Sequence, residues 1–199
     1  MAKTAPPKKR APTGVLSLKV TLRHLKPPIW RRILVRGGMT LGDLHVAIQV
    51  AMGWQNGHLH AFDVGGEQYG EPGSMDDLAD ENRLTLNRLI KMGVSRFGYT
   101  YDFGDDWEHE IQIEHAVPPS TATAFPACVA GKRGCPPEDC GGPFGYAELL
   151  EILATPDHPE REERLEWIGG DFDPEAFSAS ATDATLAQVF RRKDAPAPV

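Results

Sequence analysis

The chain has 199 residues, 41% of them hydrophobic and 25% charged, with a formal net charge of −7. That is enough chain for one domain with a substantial core. It holds no apolar run of membrane-spanning length, since Leu41 to Trp54 is interrupted by Asp43, His45 and Gln49. Three cysteines is an odd count in a chain that does not need disulfide staples, which argues for a reducing, cytoplasmic compartment.

Residues 1–13 are basic through Lys3, Lys8, Lys9 and Arg10, but carry no apolar stretch of the kind a secretory signal needs. With its prolines and alanines the segment reads as a solvated, disordered tail. The remainder is more acidic than the whole and a poor partner for phosphate backbones, so contact with nucleic acid is expected only through this tail. A single α+β domain is expected over residues 14–191, with 192–199 as a second disordered tail.

Leu16, Leu18, Val20 and Leu22 alternate with polar residues, the period of a strand with one buried face. Pro27 and Pro28 interrupt it, and Ile29 to Val35 resumes as a neighbouring strand after a connection wider than a tight turn. Arg31 and Arg32 then face opposite sides of the sheet and do not form a phosphate clamp. Thr40 offers an N-cap, Leu41, Leu44, His45, Ile48 and Met52 follow helical spacing, and Gly53 is a natural stop. Residues 58–64 (HLHAFDV) read as a strand and 65–82 as a surface loop, while Arg83 to Ile90 fits either a strand or a short helix.

Phe97, Tyr99, Tyr101 and Phe103 share one face of a strand. Trp107, His109, Ile111 and Ile113 do the same after Gly104-Asp105-Asp106, a strong hairpin signal. Pro118 to Gly145 is a long segment without periodicity, of the kind that is functional, metal-tied or mobile. Helices are expected at Tyr146 to Leu153, from Pro159 to Trp167 and from Asp173-Pro174 onward, with further helix through Leu186 to Phe190. Early strands and late helices give an α+β fold: an antiparallel or mixed sheet with packed helices and a helical C-terminal third.

Two constellations carry chemistry. Asp102, Asp105, Asp106 and Glu108 crowd the hairpin turn with His109 close by, a set able to hold a divalent metal or supply an acid and a base. The plain structural reading is that turns select Asp and Gly and that the aromatics are core. Cys128, Cys135 and Cys140 lack knuckle spacing, yet three thiolates and a histidine, with His109 or His115 ahead of His58 and His60, would close a zinc site and fix the loop. Lys132 and Arg133 favour a reactive thiolate there, and Glu138 and Asp139 oppose it.

The segments PPIWRRILV (27–35), LGDLHVAIQVAMGW (41–54), HLHAF (58–62), YTYDFGDDWEHEI (99–111), CPPEDCGGPFGY (135–146) and DFDPEAF (171–177) resemble the plasmid pRiA4b open-reading-frame-three-like family. Tyr101, Asp102, Phe103, Gly104, Asp105, Trp107 and His109 match its hairpin motif. Pro136, Pro137, Glu138, Asp139, Gly141, Gly142, Gly145 and Tyr146 match its loop motif. The resemblance implies an α+β fold and kinship with plasmid-borne proteins and insertion-sequence passengers labelled TnpR-like, or resolvase-like. It brings no established activity and no catalytic residues. The resolvase label conflicts with the residues: Tyr99 and Tyr101 are flanked by Asp102, Asp105 and Asp106, which repel a phosphodiester rather than neutralise it.

The expected working surface comprises Tyr101, Asp102, Asp105, Asp106, Trp107, His109, Glu138, Asp139 and Tyr146, with the hairpin turn and the cysteine loop converging on one patch. The leading expectation is a non-catalytic binding or accessory protein with a protein partner. The alternatives are a metal-dependent hydrolase or nuclease using Asp102, Asp105, Asp106 and His109, and a nucleic-acid binder acting through residues 1–13.

Overall fold

The alternation in the first strand puts Leu16, Leu18, Val20 and Leu22 against the core, and that face organises the rest. The computed structural model describes residues 14–75, 77–117 and 124–193, so both expected tails lie largely outside the described residues. Strand β1 (Val15–Leu22) pairs antiparallel with β2 (Trp30–Arg36) on one side and with the long β7 (Trp107–Val117) on the other. Among the described residues the sheet has eight strands in the order β5-β4-β3-β6-β7-β1-β2-β8. The strands beyond those three are β3 (His60–Val64), β4 (Glu67–Gly70), β5 (Ala79–Asp80), β6 (Arg96–Tyr101) and β8 (Ala127–Lys132). Among these strands only β4 and β5 pair in parallel, so the fold is α+β with a mixed sheet.

Helix α1 (Leu41–Met52) forms as its sequence dictates: Thr40 accepts from the Asp43 N–H, and Gly53 ends it in the left-handed region at φ 91°. It lays Leu41, Leu44, Ile48 and Met52 on the sheet. The other helices are α2 (Leu86–Lys91), α3 (Gly142–Ala154), α4 (Arg161–Trp167) and α5 (Ala179–Lys193), and Leu186 and Phe190 of α5 join the same core. The opposite face of the sheet carries charge. Arg32 grips Glu114 with two hydrogen bonds of 2.7 Å, and Arg23 meets Glu108.

Arg31 goes the other way, into the core, at 2% exposure. Its guanidinium donates to the Ala51 carbonyl at 2.8 Å and to those of Trp30 and Lys132, and lies over the Phe177 ring. The two arginines therefore do face opposite sides.

Several expected boundaries shift. Residues 65–82 are not simply a loop, because β4 pairs with β3, β5 pairs with β4 and a 3-10 turn (Glu81–Arg83) follows, and the stretch from Arg83 to Ile90 leads into α2, which starts at Leu86. The segment from Pro118 to Gly145 contains β8, too short and too small in its side chains to show a period, but paired with the edge of β2. Phe103 sits in the turn at 44% exposure rather than with its aromatic neighbours. Helix α3 starts earlier than expected, at Gly142, and α5 starts later, at Ala179, and runs unbroken to Lys193, past the expected start of the C-terminal tail at residue 192.

Candidate functional site

Three connections meet at one end of the sheet: α1 to β3, β6 to β7, and β8 to α3. Gly53 turns the chain so that Trp54 points inward, where its Nε1–H donates to the Pro136 carbonyl at 3.0 Å. The Glu138 carboxylate accepts the Tyr101 hydroxyl at 2.5 Å and the Gln55 N–H at 2.9 Å. Burial first, and then Glu138, raise the Tyr101 phenol far above its ordinary range. In the β6–β7 turn Asp102 and Asp106 adopt left-handed backbone (φ 57° and 56°), and Asp102 Oδ1 accepts from the Gly104 N–H at 2.9 Å. Asp105 Oδ2 reaches across to the Gly141 N–H at 3.1 Å. The hairpin turn and the cysteine loop are thus in direct contact.

The nine residues expected to form the surface divide by depth. Tyr101, Asp102, Trp107, His109 and Tyr146 are buried, Asp105 and Glu138 are half-buried, and Asp106 and Asp139 are exposed. His109 points into the core, its Nδ1–H on the Tyr99 carbonyl at 3.3 Å and its ring edge-on to Trp54. Burial pushes its pKa down to about 4. Asp102, Asp105, Asp106 and His109 therefore do not surround one point. Nor do the thiols and His109. Among the described residues the group of three or more ligand-type side chains whose donor atoms lie within 4.8 Å of one another is His58, Asp102 and Asp139.

The cysteines are free thiols. Arg31, rather than Lys132 or Arg133, is the cation that favours thiolates at Cys128 and Cys135, and burial outweighs it: both are raised. Cys140 is pushed up to about 12 by burial and then by Asp105. Protonated thiols are weak nucleophiles.

Beside the junction a cavity of about 700 Å³ opens between the hairpin turn (Asp105, Asp106), the β1–β2 connection (Leu25, Lys26) and the first turns of α3. Phe144, on the first turn of α3, is 91% exposed. At the cavity floor Tyr146 is pushed up to about 12 by burial, against the pull of the neighbouring Arg133, which is paired with Glu175.

A second cluster escaped the sequence reading. His45 of α1 and His60 of β3 stack with ring centroids 3.4 Å apart. His60 meets Glu81 at 2.8 Å, and His45 meets the Tyr99 hydroxyl at 2.8 Å and Asn56 at 2.6 Å. Gln49 donates to the same hydroxyl, which leaves it to donate to His45. Of the HLH pair, His60 is the buried, hydrogen-bonded member and His58 the accessible one. The i, i+2 spacing placed both histidines on one face; the partners from α1 and the 3-10 turn had no signal in the local sequence.

Over residues 14–181 the chain matches the family described as plasmid pRiA4b ORF-3-like protein. The chain belongs to that family. Among its relatives, the uncharacterized protein y4hQ of Sinorhizobium fredii (strain NBRC 101917 / NGR234) is 42% identical over 187 residues, which is 90% of this chain and 96% of that protein. The crystal structure of a protein of unknown function, MM3350 from Methanosarcina mazei Go1, is similar with a TM-score of 0.78 and 39% identity, over 84% of this chain and 96% of that one. The likeness extends through the junction, whose hairpin and loop lie inside the matched span.

Proposed function

We propose that this member of the pRiA4b ORF-3-like family is a non-catalytic binding or accessory module, and that the cavity beside the junction receives a protein partner in a reducing, cytoplasmic compartment. The observation that carries this reading is Phe144, 91% exposed beside the cavity. An aromatic ring in water next to a concave, largely apolar surface is what a docking site presents before its partner arrives. Asp106 on the hairpin turn adds an exposed carboxylate on the facing wall. A fitting partner segment offers an apolar anchor with a basic residue beside it. Binding is favoured over reaction because the groups able to do chemistry are committed elsewhere. The Tyr101 hydroxyl is held by Glu138, His109 lies inside the aromatic core, and the thiols are protonated.

Selection of displayed peptides on the full-length protein tests this. Wild type is expected to enrich sequences pairing an aromatic or aliphatic residue with Lys or Arg. Phe144→Ala should weaken the selected peptides by about tenfold or more, and Asp106→Lys should reverse the charge preference. Asp105 is left intact because it holds the Gly141 N–H. Selected peptides that bind both variants as well as wild type count against the reading.

A further inference from the structure

His58 lies between two carboxylates at the loop junction. Its Nδ1 is 3.6 Å from Asp102 Oδ2 and its Nε2 is 3.1 Å from Asp139 Oδ1. One donor atom from each of the three residues falls within 4.8 Å of the others. The Asp102 spacing is the informative one. At 3.6 Å it is too long for a hydrogen bond. It is close to the ~3.4 Å that separates two ligands each held about 2.1 Å from one tetrahedral ion.

Asp102 is the most enclosed of the three. The residue is 8% exposed, and its two oxygens are treated differently. Oδ1 accepts from the Gly104 and Asp105 N–H groups. Oδ2 has no hydrogen-bond donor among the described residues and points to the His58 side. That oxygen keeps contact with solvent, so a hydrated ion can reach it. Asp139, with 67% of its side chain exposed, leaves the way in from solvent open.

We propose that His58, Asp102 and Asp139 bind a divalent first-row transition ion, with water filling the remaining positions. One imidazole and two carboxylates form a borderline-to-hard set, suited to Zn²⁺, Mn²⁺ or Co²⁺ and not to a thiophilic ion. The group contains no cysteine, although Cys140 follows Asp139 in the chain. It joins the three connections through side chains that the backbone contacts of the junction already bring together, and it stands independently of the docking reading.

Cobalt is the probe that separates nitrogen and oxygen ligands from thiolates. Full-length protein, stripped with a chelator, is titrated with Co²⁺ and followed by equilibrium dialysis and absorption. The expected result is one equivalent bound without the intense near-ultraviolet band of cobalt–thiolate charge transfer. His58→Ala and Asp139→Asn should each weaken binding by at least ~10-fold. Asn tolerates the left-handed backbone of Asp139 (φ 60°), so that variant keeps the test decisive if His58→Ala does not fold. A thiolate band, equal affinity in Asp139→Asn, or folded wild type that retains no Co²⁺ would overturn the proposal.

Discussion

His109 is a base placed where a proton is unwelcome. Packed between Trp54 and Tyr99, it has a pKa pushed down to about 4 from an ordinary 6.5. The unfolded chain takes up that proton below about pH 6.5, whereas the folded chain resists until about 4, so the unfolded state holds more protons across the window. Its contribution to stability is complete above about pH 6.5 and is lost as pH falls toward 4. Between about pH 7 and pH 5 this amounts to about 2 kcal/mol. Urea midpoints at the two pH values should show the loss, and His109→Phe should flatten it. Glu114, whose pKa Arg32 depresses by a hydrogen bond, loses its contribution in the same direction, but only once pH nears the carboxylate range.

Among the elements, the turn from β8 into α3 is fixed by close backbone approach. Gly142 has φ 68°, and a Cβ there would run into the Asp105 backbone carbonyl, an atom that cannot swing aside. Gly142→Ala is expected to cost about 2 kcal/mol or more, from strain and displacement together, and to loosen the hairpin from the cysteine loop. Hydrogen exchange at the Gly141 amide, now bonded to Asp105, should rise with it.

The elements visible in the sequence are those whose signals are local. Helix α1 carries its own cap, apolar period and glycine stop, and the β6–β7 hairpin carries its turn. Strand β8 is held by its partner β2 rather than by any pattern of its own. The start of α5 differs from the expected one because Asp173 makes a turn that imitates a helix entry, accepting from the Glu175 N–H, while the helix is capped later by Ser178.

At the scale of the whole molecule, the convergence of hairpin turn and cysteine loop was legible because both segments were unusual in composition and were expected to meet. The depth of each residue was not. Whether a carboxylate or an imidazole ends inside or outside depends on which distant strand and helix close over it, as the stacked pair of His45 and His60 illustrates. The candidate metal ligands come from three connections far apart in the chain, and the sequence offers His58 only beside His60, behind His109 and His115, as a fourth ligand for the cysteines.

Arg31 ties these scales together. By holding the Ala51 carbonyl it secures the end of α1 just before Gly53 and Trp54 lead into the junction, and through Lys132 it secures the end of β8 just before the cysteine loop. The ends of α1 and β8 that lead into the junction thus hang from a single guanidinium that no incoming molecule touches. Arg31→Met should cost about 3 kcal/mol, measured by chemical denaturation, because it strands carbonyls inside the protein. Its more telling effect would be remote: peptide and cobalt affinities should both fall in a variant whose altered side chain is nowhere near either ligand, as a bridge sags when a pier under its far bank is removed.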